Sequence, residues 1–216
     1  MGMGPAPGSR EPGSMTARRS VVRIKVTLKD VAPVVMRRLE VPLKIRLDRL
    51  HLVLQAATGW TNTHLYAFTA GDMSWGLPDP DFGGDDIPAD ESTLLDILDD
   101  TGARTIHYYY DFGDGWDHVI KIERILDAVP MAPYPTLLAA EGRCPPEDVG
   151  GPPGYQDFLE ILADPDHEEH AQTLTWCGGA FDPHSPDIDR ILAELDKLAR
   201  RWAPRPRRAA AKRTPR

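Results

Sequence analysis

The sequence predicts an α+β fold, in which a mixed or antiparallel sheet packs on one helix and a helical extension follows at the C-terminal end. Three observations carry this expectation. Val22, Ile24, Val26 and Leu28 alternate with Arg23, Lys25, Thr27 and Lys29, the period of a half-buried strand. Leu47, Leu50, Val53, Leu54 and Ala57 recur at helical spacing ahead of Gly59. Tyr108 to Glu123 then sets aromatic and aliphatic residues on both sides of Gly113-Asp114-Gly115, the pattern of a closing hairpin.

In chain order, Asp30 to Pro33 reads as a turn and Val34 to Val41 as a second strand that ends before Pro42. The helix over 47–57 follows. Thr63 to Ala70 reads as a strand with His64, Tyr66 and Phe68 on one face. Residues 71–100 contain ten acids and no base, around an acidic loop at 78–86, and Thr93 to Leu98 is a short helix or turn. After the hairpin the character changes. Pro145 to Gly154 reads as a loop because of its prolines and glycines, and Tyr155, Phe158, Leu159 and Leu162 mark a helix. Asp164-Pro165 is expected to cap another helix, ended by Gly178-Gly179. Ser185-Pro186 is expected to cap the last one, with an apolar stripe from Ile188 to Trp202.

Side-chain parity selects the hairpin register. A two-residue loop at Asp114-Gly115 scatters polar and apolar residues over both faces. A three-residue loop, Gly113 to Gly115, puts Ile106, Tyr108, Tyr110 and Phe112 on one face with Trp116, His118, Ile120 and Ile122. Thr105, His107, Tyr109, Asp111, Asp117, Val119, Lys121 and Glu123 take the other, and Gly115 supplies a left-handed residue. In this register Asp111 and Asp117 are cross-strand neighbours, and like charges so placed call for a cationic partner. His118 is the one polar side chain on an apolar face. It reads either as a core histidine bonded to a tyrosine or carbonyl, or as a ligand.

The net charge of −8 conceals an asymmetry. Residues 200–216 hold eight Lys/Arg and no acid, while residues 20–199 hold 14 basic and 32 acidic residues, a charge of −18. An acidic body argues against broad contact with phosphate backbones, and the basic tail is the weak pointer to nucleic acid. Residues 1–19 read as a disordered leader, with Met15 an alternative start, 20–202 as one domain, helical from about 154, and 203–216 as a basic disordered tail. Two cysteines outside any C-x-x-C, no secretory signal and no apolar run near 18 residues lead to a reduced cytoplasmic protein without a membrane span.

No G-x-S-x-G, G-x-x-x-x-G-K or dinucleotide-type G-x-G-x-x-G is present. His167-Glu-Glu-His170 has i,i+3 spacing, so it is an exposed helix start or, less simply, a ligand pair on one helix face. Asp79, Asp81, Gly84 and Asp90 echo a calcium loop, but Gly83 offers no side-chain ligand and Asp90 stands where a glutamate is needed. Glu147 and Asp148, adjacent carboxylates between prolines and glycines, need a partner. Arg37-Arg38 is one candidate, and a site lip closing over the hairpin is the other.

Several segments together resemble the plasmid pRiA4b ORF-3-like family. They are Pro33 to Arg38, Leu50-His51, Gly59-Trp60, His64 to Phe68, Tyr108 to Glu123, Cys144 to Tyr155 and Asp164 to His170, spread over about residues 20–198. Met36 departs from the family's usual tryptophan and Tyr66 from a common second histidine. The resemblance implies an α+β fold in a bacterial or archaeal cytoplasmic protein, and the element order read from the residues, strand–strand–helix–strand–hairpin, is β-grasp-like by analogy. Such proteins are often encoded on plasmids or beside mobile elements. It implies no settled activity, and its links to recombination are by genomic association.

The candidate site residues are His64, Asp111, Asp114, Trp116, Asp117, His118, Glu147 and Asp148. Two readings of them stay open, so enzyme status does too. In one, a non-enzymatic accessory module recognises a protein or small polar ligand, and a stoichiometric metal ion counts against it. In the other, a metal-assisted hydrolase, a phosphoesterase or nuclease, binds a divalent ion through Asp111, Asp114 and Asp117 with His118 or His64 as acid or base, and Asp111, Asp117 and His118 are the alternative ligand set.

Overall fold

The computed structural model describes residues 20–77 and 86–203. The elements are β1 (Ser20–Leu28), β2 (Met36–Pro42), α1 (Leu47–Thr58), β3 (Tyr66–Ala70), β4 (Met73–Gly76), β5 (Ile87–Pro88), α2 (Leu94–Thr101), β6 (Thr105–Tyr110), β7 (Trp116–Asp127), β8 (Thr136–Glu141), α3 (Gly151–Ala163), α4 (His170–Trp176) and α5 (Ile188–Trp202). The strands form one eight-stranded sheet in the order β5-β4-β3-β6-β7-β1-β2-β8, antiparallel except between β4 and β5. The α+β class and the C-terminal helical part agree with the sequence.

Alternation divides the sheet into two unlike faces. Val22, Ile24, Val26, Leu39, Val41, Phe68, Tyr108, Trp116 and Ile120 are buried in one core with Leu47, Leu50, Val53, Leu54 and Ala57 of α1. The face between β2 and β6 that points away from α1 carries Arg23, Lys25, Arg38, Lys121 and Glu123, none of them buried. Helix α1 stops at Gly59, which takes φ 86° and donates its N–H to the Gln55 carbonyl. Thr93 caps α2 in a capping box with Asp96. Ile191, Leu195 and Ala199 are the buried stripe of α5, whereas Ile188 and Leu192 at its edge are exposed. Both cysteines are free thiols, and burial pushes Cys144 up to about 11. Among the described residues no helix is long and apolar enough to cross a membrane.

The structure corrects the hairpin. Tyr110 pairs with Trp116, Tyr109 with Asp117 and Tyr108 with His118, so the loop has five residues, 111–115. The shift is two positions, so every strand residue keeps its face but Asp111 does not stand opposite Asp117. Phe112 leaves the core face altogether and is 59% exposed. Asp111 adopts φ 54° and the Gly115 N–H donates to the Asp111 carbonyl at 2.6 Å, so a turn replaces the last cross-strand pair. Gly115 is left-handed as expected, with φ 71°.

Other boundaries differ for local reasons. Strand β8 was not expected, because Thr136 to Glu141 lacks alternation. Gly151 to Gly154 lies inside α3, whose first-turn amides have no intrahelical partner and so tolerate Pro152 and Pro153. Asp164 ends α3 instead of capping a new helix, and its carboxylate accepts the Asp166 N–H at 3.0 Å. The cap of α5 is Asp187, which accepts the Arg190 N–H, two residues beyond Ser185. His167 lies before α4 and accepts the Glu169 N–H, while His170 bonds the Ile161 carbonyl, so the pair does not share a helix face. Asp79, Asp81 and Gly84 of the calcium-like pattern lie outside the described residues.

Candidate functional site

The site is built where the hairpin tip meets two segments, 61–65 and 145–150. Asp111 is fixed first. Its N–H donates to the Leu65 carbonyl at 2.9 Å, and its Oδ1 accepts the N–H groups of Gly113 and Asp114 at 3.0 and 3.3 Å. That leaves Oδ2 turned toward His64, 3.5 Å from its Nε2. His64 rests edge-on against Tyr110 and also meets Asp148, whose Oδ1 is 2.9 Å from the same nitrogen. Asp111 is buried, His64 half-buried and Asp148 exposed, and one ligand atom from each lies within 4.8 Å of the others. Asp148, like Asp111, is a non-glycine residue in the left-handed region, with φ 61°.

The neighbouring carboxylate anchors the loop. Glu147 accepts the Thr61 N–H at 2.9 Å, the Thr61 hydroxyl at 2.5 Å and the Tyr110 hydroxyl at 2.6 Å. Trp60 donates its indole N–H to the Pro145 carbonyl at 2.9 Å, and the Gly150 N–H reaches Asp114 Oδ2 at 3.2 Å. Segment 145–150 therefore sits against the hairpin tip, the second of the two arrangements left open by the sequence, and only the pairing of its carboxylates with Arg37-Arg38 is corrected. Arg37 is buried and donates to the carbonyls of Ala57, Met36 and Glu141, while Arg38 grips Glu123. Those two arginines hold the sheet together and do not reach Glu147 or Asp148.

Behind the tip lies a buried polar network that reasoning from sequence missed. The Asn62 side-chain oxygen meets His51 Nε2, which assigns the proton to Nε2 and leaves Nδ1 to accept from the Tyr108 hydroxyl at 2.7 Å. Gln55 donates to the same hydroxyl at 3.1 Å and accepts the Asn62 N–H at 3.0 Å. His51 also stacks on Tyr66 with ring centroids 3.7 Å apart. The available signal was two polar residues, His51 and Gln55, inside the buried stripe of α1. Burial lowers His51 to about 4 and raises the Tyr108 hydroxyl well above its usual value. Tyr110 is raised too, first by burial and then by its bond to Glu147. Tyr108→Phe strands His51 Nδ1 and a Gln55 N–H in the core, at an expected cost of about 1–3 kcal/mol. Urea unfolding reads this as a lower midpoint at unchanged slope. A variant as stable as the parent contradicts the network.

The remaining candidates are placed apart. Trp116 is buried beside Trp60, ring centroids 5.7 Å apart, and forms part of the floor. Asp117 faces the open side of the sheet, where Lys29 Nζ and His107 Nδ1 hold its two oxygens at 2.8 and 2.9 Å. His118 is buried opposite Tyr108, bonded through Nδ1 to the Tyr108 carbonyl at 3.1 Å, and burial lowers it to about 4. Its Nε2 has no partner among the described residues. Asp111, Asp117 and His118 are therefore not brought together, and His64, Asp111 and Asp148 are.

Fold and tip define an α+β protein with one open sheet face and a histidine–carboxylate cluster at a hairpin tip. The chain belongs to the plasmid pRiA4b ORF-3-like protein family, whose model matches residues 20–190. It is 55% identical over 190 residues to the uncharacterized protein y4hQ of Sinorhizobium fredii (strain NBRC 101917 / NGR234), covering 88% of this chain and 97% of that one. It is also similar to the crystal structure of a protein of unknown function, MM3350, from Methanosarcina mazei Go1. There the TM-score is 0.70 at 32% identity, over 79% of this chain and 97% of that one.

Proposed function

We propose that this chain is an accessory binding protein whose working surface is the hairpin tip under segment 145–150, and that, in place of the metal-free module expected from the sequence, a divalent cation held by His64, Asp111 and Asp148 is part of that surface. One observation carries the proposal. His64 Nε2 stands 3.5 Å from Asp111 Oδ2 and 2.9 Å from Asp148 Oδ1, which puts two carboxylates around one imidazole nitrogen. A cation among the three offsets the repulsion between the carboxylates. One nitrogen and two oxygen donors suit Mn²⁺ or Zn²⁺ better than Ca²⁺ or Mg²⁺, which prefer oxygen alone. Exposed Phe112 and Leu65 flank the cluster and supply apolar contact for a protein or small polar ligand.

The working unit is taken as residues 20–202, with 1–19 and 203–216 as appendages. A cytoplasmic setting belongs to this reading, supported by two cysteines outside any disulfide, and so does association with plasmids or mobile elements, supported by the family's name. Metal-assisted hydrolysis is the second reading, favoured by the three-donor set, which leaves coordination positions for water and substrate. In that reading His64 is a ligand, and buried His118 is out of reach of the reaction.

Equilibrium dialysis against Mn²⁺ and Zn²⁺, followed by elemental analysis, is the test. About one ion per chain is expected, lost in Asp111→Asn and His64→Ala and kept in Asp117→Asn. No bound ion, or loss of the ion in Asp117→Asn, rejects the site. Metal-dependent cleavage of bis-p-nitrophenyl phosphate that disappears in Asp111→Asn selects the second reading.

A further inference from the structure

The open face of the sheet has a charge pattern opposite to that of the body. Across three adjacent strands Lys121 stands opposite Lys25, and Lys25 opposite Arg38. Arg23 and Arg124 are likewise opposite one another where β1 pairs β7. Neighbouring strands are about 4.8 Å apart, and like charges at that separation destabilise the sheet unless an anion lies over them. Two of the five cations have local partners, since Arg38 is held by Glu123 and Arg23 by Glu40. Among the described residues Lys25 and Lys121 form no direct ion pair, although Glu123 on the same face also acts electrostatically on Lys25 and Arg23, so the array is only partly neutralised. This cationic array sits in a stretch, 20–199, that carries −18 overall.

Aromatic side chains continue the same face toward the hairpin tip. His107, opposite Val119, lies one row beyond the lysines, and Tyr109, opposite Asp117, lies one row further. Their rings stack at 6.0 Å and 16°, and neither residue is buried. No helix covers this part of the sheet among the described residues, because α1 and its buried stripe lie on the other side.

We propose that this face binds single-stranded nucleic acid. Phosphates lie over Lys121, Lys25, Arg38 and the Arg23–Arg124 pair, and unpaired bases stack on Tyr109 and His107. A cationic surface supplies the sequence-independent affinity, and aromatic faces accept bases only when these are not paired within a duplex. An acidic protein partner would satisfy the lysines but gives no use for the stacked aromatic pair.

The test is fluorescence anisotropy of the full chain with fluorescein-labelled dT20 and rU20 at about 50 mM salt. Binding is expected, weakening with salt along a log–log slope of roughly −2 to −3.5 for three to five phosphates neutralised. The double variant K25E/K121E is expected to bind at least tenfold more weakly with unchanged melting. Tyr109→Ala is expected to lose roughly tenfold with the salt slope kept, as for one lost stacking contact. Removal of 204–216 is expected to leave most of the affinity. The proposal is overturned by absence of binding, by K25E/K121E binding as the parent does, or by loss of binding on removal of the tail. Preference for labelled poly-glutamate over dT20 overturns it in favour of an acidic protein partner.

Discussion

Acidification from pH 7 to pH 4 lowers stability by roughly 3 kcal/mol for each of two buried histidines, a large share of the 5–15 kcal/mol typical of a domain. His51 and His118 are both lowered to about 4 by burial, against an ordinary value of 6.5. Because the folded-state value is depressed, the unfolded chain takes up each proton first. The stability conferred by these groups is complete above pH 6.5, falls as pH drops between 6.5 and 4, and levels off below. When both histidines titrate the slope approaches about 2.7 kcal/mol per pH unit. Glu123, lowered by its bond to Arg38, and Asp96, lowered by the Thr93 cap, act in the same direction only in the carboxylate range. The histidine loss is thus the part that begins near pH 6.5. Urea midpoints at pH 7, 5.5 and 4 measure it, and His118→Phe should remove about half the slope. A midpoint unchanged between pH 7 and 5 contradicts this account of the core.

Parity explains both what the sequence reveals and where it stops. The two faces of the hairpin are read correctly because side chains alternate along a strand, and burial of Tyr108, Tyr110, Trp116 and Ile120 follows. A shift of two residues leaves every face unchanged, so parity cannot choose between a loop of three and one of five. What decides is the left-handed turn at Asp111 and its bond to Leu65, a contact with a distant strand end. The placement of Asp111 against His64 and away from Asp117 depends on that choice. Glu147 and Asp148 were legible as carboxylates in need of partners. Which partners they meet was not, because the arginines and the 61–64 segment compete on equal chemical terms until the loop has a position. His51 escaped notice for the opposite reason: at its place in the α1 stripe a histidine looks like core, and it is core, but with a polar network attached.

Gly151→Ala is expected to cost about 2–5 kcal/mol, the sum of a left-handed backbone penalty and local overpacking. Gly151 takes φ 69°, and a Cβ there falls 2.3 Å from the Asp114 carbonyl oxygen and 3.2 Å from its carbon. Both obstacles are backbone, so no rotamer change relieves them, and the hairpin tip and the start of α3 must separate. Separation stretches the bond from the Gly150 N–H to Asp114 Oδ2 and draws Asp148 away from His64 and Asp111. The proposed cation site therefore weakens together with the fold. Gly102→Ala isolates the backbone part, because Gly102 has φ 64° and no atom of the described residues lies within 4 Å of the added carbon. That variant is expected to lose about 1–2 kcal/mol and keep its ion. Thermal unfolding and metal analysis of the two variants side by side separate strain from contact. If Gly151→Ala is no less stable than Gly102→Ala and binds Mn²⁺ or Zn²⁺ like the parent, the close approach of loop and hairpin is not what holds Asp148 in the cluster. If it is less stable and loses the ion, the glycine is required because only a residue without a side chain lets the two backbones meet closely enough to bring His64, Asp111 and Asp148 together.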